Sequence, residues 1–151
     1  MAQVLSVAVM LGVAFWGASP VEACTCVVPS PEQALNTSDL VLLGRVVKAE
    51  LASPNLIRVD VAVEQTFKGD ARKSIGIYTR PRAASCYEYG FQVGEQYLIF
   101  ATRPATRAPE LRLSDLPGGE YITGVCLGTV DLATTQGVDR LRAIRQLFEK
   151  R

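Results

Sequence analysis

The chain has 151 residues, with 16 Lys and Arg against 15 Asp and Glu, and a formal net charge of +1 at pH 7. This balance argues against a nucleic-acid partner or a charged membrane surface, both of which select strongly basic chains. The sequence contains no histidine, which excludes Ser-His-Asp triads, Cys-His dyads and the usual histidine zinc sites. We therefore expect no enzymatic activity and no cofactor of the protein's own.

An apolar leader opens the chain. Residues 1–19 carry no charge, Pro20 ends the apolar run, and Val21 and Ala23 fit the −3 and −1 positions of a signal-peptidase site. The run falls short of the ~20 residues that a membrane-spanning helix needs. We therefore expect a signal peptide over residues 1–23 and no membrane span.

Cleavage at this site would make Cys24 the first residue of a secreted, extracellular protein, or of a periplasmic one in a bacterium. The length of residues 24–151 suits a single domain, which we expect to be a monomer. A bacterial lipoprotein signal also ends at a cysteine and would leave Cys24 acylated and lipid-anchored, but Glu22 is a poor fit to such signals. We expect a free amine at Cys24.

Four cysteines, Cys24, Cys26, Cys86 and Cys126, follow the leader. An even number in an exported chain predicts two disulfides. Residues two apart in an extended segment are separated by ~6–7 Å, so Cys24 and Cys26 would bond each other poorly. Each should reach one of the two distant cysteines, which leaves two pairings open. Either pairing would restrain the new N-terminus, usually the most mobile part of a domain.

Short strands, with a helix near each end, make up the rest of the pattern. Ser30, Pro31 and Gln33 provide the N-cap, first-turn proline and capping box of a helix start. Residues 57–64 alternate between apolar and polar, which is typical of a half-buried strand. The other predicted strands cover residues 40–47, with Gly44 at a bulge or close approach, residues 74–79 and 96–101, and a further pair over residues 111–113 and 121–125.

An amphipathic helix is predicted from Gly137 onward, because apolar residues recur there at spacings of three and four. These residues are Val138, Leu141, Ile144, Leu147 and Phe148. We interpret Arg140, Arg142 and Arg145 as the solvent face of this helix. Together the elements predict a mainly β fold with flanking helices, in which five or six short strands form a small barrel or sandwich pinned by two disulfides.

Several segments resemble the N-terminal domain of the tissue inhibitors of metalloproteinases. They are Cys24-Thr25-Cys26-Val27, Pro29-x-Pro31-x-Gln33-Ala34-Leu35, Ser38-Asp39-Leu40-Val41, Ser85-Cys86-Tyr87, Glu95-Gln96-Tyr97-Leu98-Ile99 and Tyr121-Ile122-Thr123, shortly before Cys126. The resemblance implies a netrin-like module with an OB-fold-like barrel and the disulfides Cys24–Cys86 and Cys26–Cys126. The chain departs from the family at Asn36, where these inhibitors have another cysteine, and at Val28, where a proline is usual.

The resemblance also implies inhibition of zinc metalloproteinases of the matrix-metalloproteinase type. The free α-amine and the carbonyl oxygen of Cys24 would chelate the catalytic Zn²⁺ of the target and displace its water. An α-amine has a pKa of ~7.7–8.0, so the neutral donor form is accessible near neutral pH. Thr25 would enter the specificity pocket. The expected inhibitory edge comprises Cys24, Thr25, Cys26, Val27, Val28, Ala84, Ser85 and Cys86.

Other interpretations stay open. The main alternative is a netrin-like extracellular module that binds a partner without inhibiting it. A barrel could also bind nucleic acid or sugar on a stacking face, here formed by Tyr78, Tyr87, Tyr89, Phe91 and Tyr97, although the charge balance argues against it. A redox role for the Cys-x-Cys motif lacks a base to lower a thiol pKa. Asn36-Thr37-Ser38 is an N-glycosylation sequon.

Overall fold

The computed structural model describes residues 26–70, 72–81, 88–103, 116 and 120–150. Its elements are α1 (Pro31–Thr37), β1 (Leu40–Ser53), β2 (Leu56–Lys68), β3 (Ser74–Thr79), β4 (Gln96–Thr102), β5 (Tyr121–Thr123), a 3-10 helix (Val125–Leu127), β6 (Val130–Asp131) and α2 (Thr135–Glu149). The predicted signal peptide and the predicted strand over residues 111–113 lie outside the described residues. Within the described ranges, no helix is both long and apolar enough to cross a membrane.

Five strands close into a barrel. β1 pairs antiparallel with β2, and β2 with β3. β3 then runs parallel to β5, β5 pairs antiparallel with β4, and β4 returns to β1. This strand order is that of an OB-like barrel, so the expected OB-fold-like barrel is confirmed. β6 adds a short antiparallel pairing to β4.

Both faces of β1 are buried from Leu40 to Gly44, which explains the unbroken apolar start of this strand. Leu40 and Leu42 point into the barrel, whereas Val41 and Leu43 pack in a second cluster with residues of α1 and α2. Strands that are covered on both faces read as continuous apolar runs. The second cluster joins the two helices to the outside of the barrel.

Gly44 marks a close approach between β1 and β2. The register of the two strands shifts between Leu43 and Gly44. A Cβ atom at this position would lie 2.5 Å from Cγ1 of Val61 and 2.8 Å from the carbonyl oxygen of Ala62. The predicted bulge or close approach is therefore confirmed.

The last third of the barrel differs from the prediction. The strand expected over residues 121–125 ends at Thr123, because a 3-10 helix begins at Val125. In the described part of the chain this strand pairs with β3 and β4. β6 was not predicted, since two residues are too few to show a periodic pattern. The C-terminal helix begins at Thr135, where Thr134 caps it by accepting a hydrogen bond from the Gly137 N–H at 3.0 Å.

Candidate functional site

A disulfide ties the N-terminal end of the described chain to the barrel. Cys26 is bonded to Cys126 in the 3-10 helix, 100 residues away in sequence. This pairing is the one that the family resemblance implies, and it is confirmed. Cys24, Thr25, Ala84, Ser85 and Cys86 lie outside the described residues, so the second expected disulfide, Cys24–Cys86, stays a prediction.

The segment that follows Cys26 runs into the fixed start of α1. The Ser30 hydroxyl accepts a hydrogen bond from the Gln33 N–H at 3.2 Å, and the Gln33 side-chain oxygen accepts one from the Ser30 N–H at 3.0 Å. The predicted capping box is therefore confirmed. Because the helix packs Ala34 and Leu35 into the second cluster, residues 26–30 are bounded by a fixed element on their C-terminal side.

Arg140 provides a further contact to this segment, and its position corrects the interpretation of α2. The prediction placed Arg140 on the solvent face, but its residue surface is only 8% exposed. Its Nη2 donates a hydrogen bond to the carbonyl oxygen of Pro29 at 2.6 Å. The guanidinium carbon also lies 5.2 Å from the centroid of the Phe100 ring, within the range of a cation–π contact.

The burial of Arg140 follows from the helical repeat. The buried residues of α2 are Gly137, Arg140, Leu141 and Ile144, which share one face through spacings of three and four. Counting apolar residues alone missed this, whereas the position of Arg140 between Gly137 and Ile144 on that face could have revealed it. Burial lowers the pKa of Arg140 from its usual value, although a guanidinium stays charged in proteins.

Apolar side chains lie on the outer surface of the tethered segment. Val27 is 92% exposed, and Val28, the next residue, is also exposed. Val125, which precedes Cys126 at the other end of the disulfide, is exposed as well. Burying a valine removes it from water at a gain of about 1.5–3 kcal/mol. Val28 and Val125 line the same cleft, so these two valines and the exposed Val27 offer apolar side chains to a docking partner.

The chain that follows the undescribed segment 82–87 returns to the same 3-10 helix. The Val125 N–H donates a hydrogen bond to the carbonyl oxygen of Glu88 at 3.1 Å. A cleft of about 310 Å³ lies there, with Glu88, Tyr89 and Asp131 in its lining. A neighbouring cleft of about 210 Å³ extends to Val28 and shares Tyr89 and Asp131 with the first. Cys26 and the residues just after Cys86 thus meet at one edge of the barrel.

The aromatic residues near this edge pack against one another and do not form an open stacking face. Tyr89, Phe91 and Tyr97 lie with ring centroids 4.7–5.7 Å apart. Tyr97 and Tyr78 are buried, and the Tyr97 hydroxyl accepts a hydrogen bond from the Gln92 N–H at 2.9 Å. Burial raises the pKa of both Tyr89 and Tyr97. In the alternative that has a stacking face, Tyr78 and Tyr97 are therefore too buried to take part, and Tyr87 lies outside the described residues.

The described residues contain no group of three or more His, Cys, Asp or Glu side chains arranged to hold a metal ion. No known family model matches the chain, and a search of curated proteins finds no significant match.

Proposed function

We propose that the protein is a secreted inhibitor of zinc metalloproteinases that acts through the edge around Cys26. The observation that carries this proposal is the restraint of residues 26–30 by the Cys26–Cys126 disulfide and the Arg140–Pro29 hydrogen bond, while Val27 stays 92% exposed. An exposed apolar segment that is held in place is what a rigid inhibitor presents to a cleft, because little ordering entropy remains to be lost on binding.

In this proposal, Cys24 and Thr25, the two residues before Cys26, contact the zinc ion and the specificity pocket of the target protease. After removal of residues 1–23, the α-amine nitrogen and the carbonyl oxygen of Cys24 would bind the catalytic Zn²⁺ of the target as a five-membered chelate. That Zn²⁺ has three protein ligands and an exchangeable water, which the chelate would replace. Thr25 would then enter the specificity pocket, with Val27 and Val28 along the cleft.

The second wall of the edge would be Ala84, Ser85 and Cys86, joined to Cys24 by the expected disulfide. The hydrogen bond between Glu88 and Val125 supports this arrangement, because it holds the chain two residues after Cys86 against the 3-10 helix that carries Cys126. The similarity of the Cys24–Val27 motif to tissue inhibitors of metalloproteinases supports the same assignment.

A second candidate is an extracellular netrin-like module that binds a partner without inhibiting a protease. The exposed Val27 and Val125 favour it as well, because an apolar surface beside a cleft serves docking of any kind. The two candidates differ only in whether the Cys24 amine meets a metal.

Inhibition assays of the protein beginning at Cys24, against several zinc metalloproteinases, test the proposal. A form with one alanine added before Cys24 moves the amine off the metal, and we expect its inhibition constant to rise at least about 100-fold, which corresponds to about 2.7 kcal/mol. A matched form with the alanine added after Arg151 should inhibit like the original. Full potency of the N-terminally extended form would rule out zinc chelation by Cys24.

Intact mass and N-terminal sequencing of the exported protein test the leader and the state of the amine. We expect a chain that begins at an unmodified Cys24. An acylated Cys24 would contradict inhibition by chelation. A free Cys24 in a folded protein that inhibits none of the proteases would favour the binding module.

A further inference from the structure

We propose that Arg140 is a positioning residue. By holding the carbonyl group of Pro29, it fixes the direction in which residues 26–29 run along the outside of the barrel. The inhibition part of the test below rests on the proposed function. The structural part does not.

The disulfide holds the segment at Cys26 and the capped start of α1 holds it at Ser30, so the path of the residues between them depends on a further contact. The disulfide at Cys26 and the hydrogen bond at Pro29 supply two points on either side of Val27 and Val28. Val27 itself is almost fully exposed, so packing of its own side chain contributes little to the order of the segment. The carbonyl oxygen of Pro29 is the backbone group through which this residue can be held, because proline has no N–H to donate.

The environment of Arg140 is specific for this contact. The guanidinium carbon of Arg140 lies 5.2 Å from the centroid of the Phe100 ring. At Gly128, a Cβ atom would come 2.5 Å from Nη2 of Arg140. Gly128 also has a φ of 97°, which a residue with a side chain rarely adopts. The space for the guanidinium is therefore left open by a residue that could hardly be anything but glycine.

The cost of burying a charge argues for a directional role. A buried, unpaired ion is strongly disfavoured, and replacing buried ionic groups with well-packed apolar residues is often neutral or stabilising. The bond to Pro29 is the one hydrogen bond that the described structure gives this guanidinium, and its buried Nε has no partner there. A leucine or methionine would have served a purely packing role on this face of α2, whereas only a long donor reaches Pro29, 111 residues earlier in the chain.

The test compares Arg140→Met with two controls in the same helix. Arg145→Met removes an exposed arginine. Ile144→Val removes one methyl group from a fully buried side chain and so perturbs the packing of α2 without touching Pro29. The readout is the ¹⁵N backbone order parameter of Val27 and Val28, together with the dissociation rate from an inhibited protease.

In the wild-type protein we expect order parameters in the rigid range, about 0.85. In Arg140→Met they should fall below about 0.6, the flexible range, while both controls keep the wild-type values. Dissociation from the protease should be at least about tenfold faster in Arg140→Met, because a looser segment loses its preorganisation.

Wild-type order parameters in Arg140→Met would overturn the positioning role, whether or not the protein inhibits. If Arg140→Met does not fold, Arg140→Gln, which is polar but too short to reach Pro29, is judged by the same criterion. Flexible values at Val27 and Val28 in the wild-type protein would overturn the proposal without any variant. If no protease is inhibited, the order parameters still decide, so failure of this inference and failure of the proposed function are distinguishable.

Discussion

The hydroxyl oxygens of Thr123 and Thr129 lie 2.7 Å apart, and both side chains are buried. Thr123 donates a hydrogen bond to the Phe100 carbonyl oxygen at 2.7 Å, and the Thr129 hydroxyl accepts one from the Phe100 N–H at 3.0 Å. The two threonines therefore satisfy the backbone of β4 at Phe100. They also bracket the short stretch that carries Cys126, which links the disulfide to the barrel wall.

Replacing Thr129 with valine should lower the free energy of unfolding by about 1–3 kcal/mol, because the buried Phe100 N–H loses its acceptor. Urea denaturation measures the loss. Thr135→Val, at an exposed position of α2, is the control and should change stability by no more than about 0.5 kcal/mol. Equal effects of the two substitutions would contradict the role of the Thr129 hydroxyl.

Replacing Gly44 with alanine should cost about 1–3 kcal/mol through overpacking, because the new Cβ would meet Val61 and the backbone of Ala62 at 2.5 and 2.8 Å. Thermal or urea unfolding measures the cost. Gly90→Ala is the matched control, since no atom lies within 4 Å of a Cβ placed there. A stable Gly44→Ala protein would show that β1 and β2 can separate at the bulge.

Replacing Cys26 and Cys126 together with serine should lower the free energy of unfolding by about 2–5 kcal/mol. The two residues are 100 positions apart, and in the chain-entropy model a long closed loop gives the larger stabilisation. Cys24 and Cys86 stay in place in this variant. The comparison is made by urea denaturation without reductant, and a loss under about 1 kcal/mol would contradict the prediction.

The stability of the protein should fall in strongly alkaline solution. Burial raises the pKa of Tyr89, Tyr97 and Tyr121 in the folded state. The folded protein thus holds these protons more tightly than the unfolded chain, whose tyrosines titrate at a pKa of ~10. The contribution of these tyrosines to the free energy of unfolding is therefore complete below about pH 10, and it is lost as the pH rises through their raised pKa in the folded state.

Tyr89→Phe tests this pH dependence. Without the Tyr89 hydroxyl, the free energy of unfolding should decline less steeply between about pH 10 and 11.5 than in the wild-type protein. Urea denaturation at a series of pH values gives the two curves. Parallel curves would show that the Tyr89 proton does not contribute to the decline.

Much of the fold could be predicted because its signals are local. The alternation of residues 57–64 indicated β2, and the apolar run that begins at Leu40 indicated β1. The capping box at Ser30 placed the start of α1 at the correct residue. Each of these patterns depends on neighbours within a few positions.

The rest depends on contacts between distant parts of the chain. Three features of the fold leave no periodic pattern in the sequence. They are the closure of the barrel through β1 and β4, the parallel pairing of β3 with β5, and the two-residue strand β6. In the candidate site, the family resemblance correctly paired Cys26 with Cys126. Arg140 was missed because charged residues of an amphipathic helix are usually solvated, and only the fold brings Pro29 within its reach.

β1 pairs with β4 from Leu40 to Arg45, whereas its pairing with β2 continues to the turn between Ser53 and Leu56. Beyond Arg45, β1 therefore pairs with β2 alone among the described strands, while β2 stays paired with β3 as far as Ile57. Val47 and Leu51 on this part of β1 are exposed. Pro54 and Asn55 at the turn are exposed, so extra residues inserted there would lengthen a surface loop, and flexible loops tolerate such insertions at low entropic cost. The turn is thus the position at which new recognition sequences could be grafted onto the protein independently of the edge around Cys26.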